Sequence, residues 1–231
     1  MDFRDLDLGW ITVRDSDSYP MANSPVTGYA ASRGDGPEHT EVDLVLFAQK
    51  GDVEAFNHLV LAYQDRIYSL TARILGDYDL AEDLTQHTFM TAYTNLPRFR
   101  NGSFRSWLYR IATNACYDEL RRRKRHPVSS IEDEIASEEK ILPLYDFSAT
   151  SVLPETELER HEMALVVQHA LDQLDVDHKA VVVLVDQQDF DYQQAADVLG
   201  VPVGTVKSRL ARARQKLRQL LDVRGTIIQP S

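Results

Sequence analysis

From Glu41 onward, apolar residues recur at helical spacing along most of the chain. Phe56, Leu59, Val60, Tyr63, Ile67, Leu70 and Ile74 trace one stripe of a long helix that Gly76 and Asp77 stop. In the next helix, within Asp79 to Asn95, Ala81, Leu84, Thr88, Phe89 and Ala92 share one broad side, and Asp83, Gln86 and Met90 lie opposite. Leu96 to Arg105 breaks the pattern with Pro97, Asn101 and Gly102, all turn formers. A further stripe follows in Phe104, Trp107, Leu108, Ile111, Ala112, Ala115, Cys116 and Leu120, from which Arg110, Asn114 and Arg121 project away. Pro127 closes this region, and helical periodicity resumes near Thr156 with Ala164, Val167, Leu171 and Leu174. The pattern predicts an all-α chain of two small helical domains, residues 41–126 and 156–222.

The intervening residues 127–155 carry Pro143, Pro154, Ser clusters and the acids Glu132, Asp133, Glu134, Glu138 and Glu139, which reads as a flexible acidic linker. Fully extended, roughly 30 residues reach at most about 90 to 100 Å, so the two domains need not touch. Residues 1–40 mix Asp, Ser, Gly and Pro with few periodic apolar positions and read as a flexible extension; 223–231 is a short tail.

Asp191 to Arg218 spells two short helices around a tight turn. Gly200, four residues after Ala196, sits where the first helix must end, and Pro202 carries the chain toward the second. There Val206, Leu210, Ala213, Leu217 and Leu221 form an apolar stripe, while Lys207, Ser208, Ala211, Arg212, Gln215 and Arg218 fall on the other side. No acid interrupts Thr205 to Arg218. A basic face of short side chains on the second helix of a helix-turn-helix suits a DNA major groove. On its flanks, Arg209, Arg214 and Lys216 are expected to run nearer phosphates.

Charge sharpens the picture only once it is localised. The chain has 25 basic and 36 acidic residues, a net −11, which spread evenly would argue against nucleic acid. The basic residues cluster instead in Arg98 to Arg125 and in Lys207 to Arg218. The loop Arg98, Phe99, Arg100, Asn101, Gly102, Ser103, Arg105 joins arginines to an aromatic, a combination suited to single-stranded nucleic acid; Phe99 either stacks on a base or tucks into the core beneath the loop. Cys116 is the only cysteine, which excludes an intrachain disulfide and a Cys-based zinc site and fits a reducing compartment. No apolar run approaches the roughly 20 residues of a membrane span, so no membrane contact and a cytoplasmic location are expected.

AEDLTQHTF, then FRSWLYRIATNACYDELRRRKR, then GVPVGTVKSRLARARQKL together resemble the extracytoplasmic-function (ECF) group of bacterial sigma factors over about Asp43 to Leu221. The resemblance implies a sigma domain 2 (41–126) and a sigma domain 4 (156–222) that bind RNA polymerase core and promoter DNA, with an anti-sigma factor as a further partner. It places Asp83, Gln86 and Met90 on the helix that grips the polymerase clamp. Arg98 to Arg105 and Asn114 match the segment reading the minus-10 element as single-stranded DNA with a flipped base. Thr205, Lys207, Ser208, Ala211 and Arg212 match the minus-35 readers. Three features depart from the family pattern: His87 stands where Glu is more usual, Gln194-Ala195 replaces Glu-Ile, and the N-terminal extension has no counterpart in the minimal form.

The alternative is a stand-alone helix-turn-helix regulator with a helical sensing domain; it would need neither the clamp helix nor the arginine loop. An enzyme is the third reading and is not expected: the seven histidines are scattered, with no two-His-plus-carboxylate cluster, phosphate-binding Gly loop or nucleophile motif. No metal or cofactor is expected.

Overall fold

The computed structural model describes residues 40–100, 102–125 and 155–222, with backbone alone over 155–162. The expected N-terminal extension, linker and tail, and Asn101, lie outside the described residues. Among the described residues every regular element is helical. The first group is α1 (Glu41–Gln49), α2 (Val53–Leu75), α3 (Tyr78–Asn95), a single 3-10 turn (Leu96–Arg98) and α4 (Phe104–Arg125). The second is α5 (Glu155–Asp172), α6 (Val176–Val182), a π-helical turn (Val183–Gln187), α7 (Tyr192–Leu199) and α8 (Val203–Asp222). No helix among the described residues is long and apolar enough to cross a membrane.

In the first group α2 is the axle, contacting α1, α3 and α4. Its start is set by Asp52, whose side chain accepts from the Ala55 amide (3.1 Å), and its end by Gly76 in the left-handed region (φ 68°). Asp77 then caps α3 by accepting from the Leu80 amide at 3.1 Å, so two residues turn the chain back on itself. Leu59, Ile67 and Leu70 are fully buried, each contributing about 1.5 to 3 kcal/mol relative to exposure. The α2–α3 seam also buries hydroxyls. Thr71 donates toward backbone carbonyls and meets Thr85 at 3.1 Å, and Thr88 donates to the Leu84 carbonyl at 2.7 Å, so none is left unsatisfied.

In the second group the apolar stripe of α8 faces inward: Val206, Leu210, Ala213, Leu217 and Leu221 are all buried. A capping box starts α7, with the Asp191 carboxylate accepting from the Gln194 amide (2.8 Å) and the Gln194 side chain accepting from the Asp191 amide (3.1 Å). Gln194, a departure from the family pattern, is therefore half of a cap, while Ala195 is wholly buried. Gly200 ends α7 at φ 66°. The valine-rich run before α7 is not a plain helix, since it loosens into the π turn and ends at Asp189, a non-glycine residue at φ 53°.

The reach of the intervening chain leaves the domains free to stand apart, yet here they pack together. One continuous core contains buried residues of both. α4 lies against α7, and α2 meets the π turn. Polar contacts line the seam: Arg73 donates to Gln168 at 3.2 Å, Tyr109 donates to the Gln188 side chain at 2.6 Å, and Arg105 donates to the Gln188 carbonyl. Gly76 abuts Asp172 so closely that a Cβ would meet its carboxylate at 3.0 Å.

Candidate functional site

Three surfaces carry the residues singled out in the sequence. The first is the outer side of α3. Ala81, Thr85, Thr88, Phe89 and Ala92 face the core, which turns Asp83 and Gln86 to solvent and leaves Met90 70% exposed. Tyr93, one turn beyond Met90, is also exposed and packs edge-on against Phe56 at 4.9 Å. An acid, an amide and a thioether beside an aromatic edge form a mixed patch of the kind that fits another protein's surface. His87 is exposed there, with Nε2 3.5 Å from the Thr91 hydroxyl.

The second surface is the loop between α3 and α4, shaped from beneath. Gln49 of α1 donates to the carbonyls of Leu96 (3.1 Å) and Phe99 (2.5 Å), tying the loop to a helix some fifty residues upstream. The Phe99 ring sits 5.0 Å from Trp107 and 6.2 Å from Phe104, partly buried against the core. Of the two sequence readings for Phe99, the structure takes the packed one: its ring is a floor for the loop. Gly102 at φ 109° makes the turn that a side chain would strain, and Ser103 accepts from the Ser106 amide at 3.2 Å to open α4. Arg98, Arg100, Gly102 and Ser103 are exposed on the rim, and Asn114 is exposed beside Arg110 further along α4.

Arg105 departs from that set. Its guanidinium lies 4.2 Å from the centre of the Phe190 ring and 5.7 Å from that of Tyr109, turned toward the second domain and away from the loop rim. It donates to the Gln188 carbonyl, and its Nε is buried without a hydrogen-bond partner among the described residues. In this conformation it does not share a surface with Arg98 and Arg100.

The third surface is α8. Lys207, Ser208, Ala211 and Arg212 are exposed along one side, with Thr205 half-buried at its start. The Ser208 hydroxyl donates to the Thr205 carbonyl at 3.0 Å, and a Cβ at Gly204 would meet no atom of the described residues within 4 Å. The Lys207 ammonium sits 5.7 Å from the Tyr192 ring. Tyr192 was not singled out in the sequence; its place at the first position of α7 is the signal that could have found it.

The flanking cations depart from expectation. Arg209 pairs with Asp177 at 2.6 Å, and Arg214 makes a two-pronged pair with Asp186 (3.1 and 2.5 Å). Lys216 donates to the Gln173 carbonyl at 2.5 Å. Arg209 and Arg214 hold α8 onto the rest of its domain, because those flanks of its apolar stripe meet α6 and the π turn, while Lys216, itself exposed, reaches back to the turn after α5. The acids that claim Arg209 and Arg214 lie 32 and 28 residues away, beyond the reach of local pattern.

Burial also sets protonation. The Tyr109 hydroxyl is pushed up to about 12 by burial, and the Cys116 thiol, likewise buried, is pushed up to about 12. Burial and then the neighbouring Asp177 carboxylate raise Tyr117 further. Cys116 is an inert packed thiol, as its place on the α4 stripe predicts.

Comparison with known proteins bears on all three surfaces. Residues 59–126 match the family model of Sigma-70 region 2, and residues 164–217 match that of Sigma-70, region 4. The chain is 37% identical over 174 residues to the ECF RNA polymerase sigma factor SigW of Bacillus subtilis, covering 75% of this chain and 92% of that one. It is 36% identical over 205 residues to the ECF RNA polymerase sigma factor SigM of Mycobacterium tuberculosis H37Rv, covering 87% and 96%. Among solved structures, CnrH in complex with the cytosolic domain of CnrY aligns over 79% of this chain and 97% of that one (TM-score 0.55, 29% identity). RpoE in complex with the anti-sigma factor NepR from Bartonella quintana aligns over 73% and 97% (TM-score 0.54, 28% identity). The region 2 match takes in α3 and the arginine loop, and the region 4 match takes in the helix-turn-helix: the chain belongs to the ECF group of the sigma-70 family.

Proposed function

We propose that this chain is a transcription initiation factor in which the outer side of α3 binds core RNA polymerase, the loop rim with Asn114 reads the minus-10 element, and α8 reads the minus-35 element. The observation that carries this reading is the simultaneous exposure of three separate surfaces on one chain: Asp83, Gln86 and Met90; Arg98, Arg100 and Ser103; Lys207, Ser208, Ala211 and Arg212. A stand-alone regulator would need only the third. The chemistry of RNA synthesis stays with polymerase, and the factor supplies recognition. It works in the cytoplasm because its partners do.

On α8, the first turns of the helix meet base edges. Lys207 and Arg212 donate there, Ser208 donates or accepts, and Ala211 leaves room for close approach. On the loop, exposed Arg98 and Arg100 track the phosphates of the melted strand. An anti-sigma factor, the kind of protein bound in the similar NepR complex, is the expected inhibitor.

Charge reversal at a buried interfacial group costs about 2 to 5 kcal/mol, so Asp83→Arg with Gln86→Ala should lose core polymerase. Co-purification of the doubly substituted chain with core at the parent's level would remove α3 from the assignment. Free full-length protein should bind duplex promoter DNA weakly at physiological salt, since the net charge of −11 opposes phosphate. Tight sequence-specific binding in a gel shift without polymerase would favour the stand-alone regulator instead.

A further inference from the structure

Tyr192 is the residue of the helix-turn-helix that the proposed function does not absorb. It is exposed at the start of α7, and its ring centre lies 5.7 Å from the Lys207 ammonium near the start of α8. That distance is within the reach of a cation–π contact. The Lys207 ammonium makes no hydrogen bond or ion pair among the described residues, so the ring is what it has there. The other anchored cations of α8 are held by oxygens: Arg209 by Asp177, Arg214 by Asp186, Lys216 by the Gln173 carbonyl. An oxygen occupies N–H donors, whereas a ring face attracts the charge as a whole and offers no lone pair. Lys207 is thus held in a way that keeps donors for a base edge.

The backbone between ring and ammonium is a fixed frame. Asp191, directly before Tyr192, closes the capping box with Gln194 at 2.8 and 3.1 Å. At the turn, the Val201 amide donates to the Ala196 carbonyl at 3.1 Å, and the Thr205 amide donates to the Pro202 carbonyl at 2.8 Å. The first turn of α7 is therefore held in register with the reading end of α8, and the aromatic ring is presented from a helix that carries none of the minus-35 residues named above.

We propose that Tyr192 is a positioning residue for minus-35 recognition: its ring holds the Lys207 ammonium on the α7 side of the groove and confines it to one base pair. The proposal rests on the reading of α8 as the minus-35 reader, and its argument is one of freedom. An unheld lysine carries its charge on a flexible four-carbon stem, and successive base pairs are only about 3.4 Å apart, so its ammonium serves acceptors on either of two neighbours. Held over a ring, it addresses one. Guanine N7 and O6 are the acceptors a lysine meets in the major groove, so the target is a single G·C pair. Orienting the side chain before DNA arrives also lessens the rotamer freedom lost on binding. Arg212, exposed further along α8, has no such holder among the described residues, and the base it reads is independent of Tyr192.

The test is transcription by holoenzyme from promoters randomised across the minus-35 element, with the parent, Tyr192→Leu, Tyr192→Phe, Lys207→Ala and the Tyr192→Leu, Lys207→Ala pair. Tyr192→Leu should cut the preference at one base position by about two- to fivefold, the worth of an exposed cation–π contact, and leave the other positions alone. Tyr192→Phe, which keeps the ring, should keep the preference. With Lys207→Ala that preference is already lost, and adding Tyr192→Leu should change nothing further there. Should Tyr192→Leu fail to fold by circular dichroism, Tyr192→Gln takes its place with the same expectation. An even fall in output over all sequences would make Tyr192 a structural residue only, and an equal loss with Tyr192→Phe would make its hydroxyl the contact; either overturns the proposal. So does an effect of Tyr192→Leu that persists without Lys207. Proton NMR of the free full chain gives a readout that needs no promoter: the Lys207 ε-methylene should be shifted upfield by the ring in the parent and in Tyr192→Phe, and return to its ordinary position in Tyr192→Leu. An unshifted parent overturns the contact. A parent holoenzyme with no minus-35 preference sinks the reading of α8 and the proposal with it, whereas a preference that Tyr192→Leu leaves intact sinks the proposal alone.

Discussion

Arg214 and Arg212 stand two residues apart on α8, carry the same charge, and should fail in opposite ways when replaced. The Arg214 side chain is 18% exposed and its partner Asp186 only 8%, with two prongs closing the pair. Arg214→Ala would leave the Asp186 carboxylate buried beside a vacated site. Removing one partner of a buried pair costs about 3 to 5 kcal/mol, and the partial exposure of Arg214 points to the lower end, about 3 kcal/mol. At about 2 to 4 °C per kcal/mol for a body of some 150 residues, Tm should fall by about 6 to 12 °C if both domains melt together, and by about twice that if the second melts alone. Arg212 is exposed, and Arg212→Ala should stay within about 0.5 kcal/mol. Thermal melts of the two variants by circular dichroism decide it, and the pair Arg214→Met with Asp186→Leu should recover most of the loss, since an apolar replacement leaves no charge stranded. Equal melting of Arg214→Ala and Arg212→Ala would refute the structural role and return Arg214 to the DNA face.

Three further outcomes follow from the same geometry. In holoenzyme, Arg212→Ala should relax base preference across a library of minus-35 variants, a guanine contact being worth about 1 to 3 kcal/mol of discrimination; unchanged preference would mean that α8 is rotated in its groove. Cys116 should resist a thiol reagent at pH 8 in the native chain and react only on unfolding, because its thiol is buried and raised to about 12. Raising the folded-state value of Tyr109 to about 12 favours its protonated form, so its contribution is intact below pH 10 and lost as pH rises from 10 through 12. The free chain should accordingly lose stability in urea titrations over that window, and Tyr109→Phe should lessen the dependence while leaving the share of the other buried groups, Tyr63, Tyr117 and Cys116, whose values burial also raises.

Much of the fold is legible in the sequence because it rests on contacts within single elements. The stripe from Phe56 to Ile74, the stop at Gly76, the turn at Gly200 and the inward face of α8 all follow from helical period and from glycine's access to positive φ. The valines before Gln187 carry no such information, being apolar on every side, and a π turn differs from an α-helix there only in hydrogen bonding. The site was legible where exposure follows from period, as on α3 and α8. It was not legible where partners lie far off in sequence: Gln49 beneath the arginine loop, Asp186 on Arg214, and Gln188 on Arg105. Arg105 shows the limit most clearly, since residue type and loop position put it with Arg98 and Arg100, and only tertiary packing sets it apart.

The most direct test is to map transcription starts made in vitro on genomic fragments by core polymerase with and without this chain. The account predicts a defined set of new starts, sharing one motif near minus-35 and another near minus-10, that disappears with Asp83→Arg and Gln86→Ala. No new starts, or new starts that survive that double substitution, would contradict it.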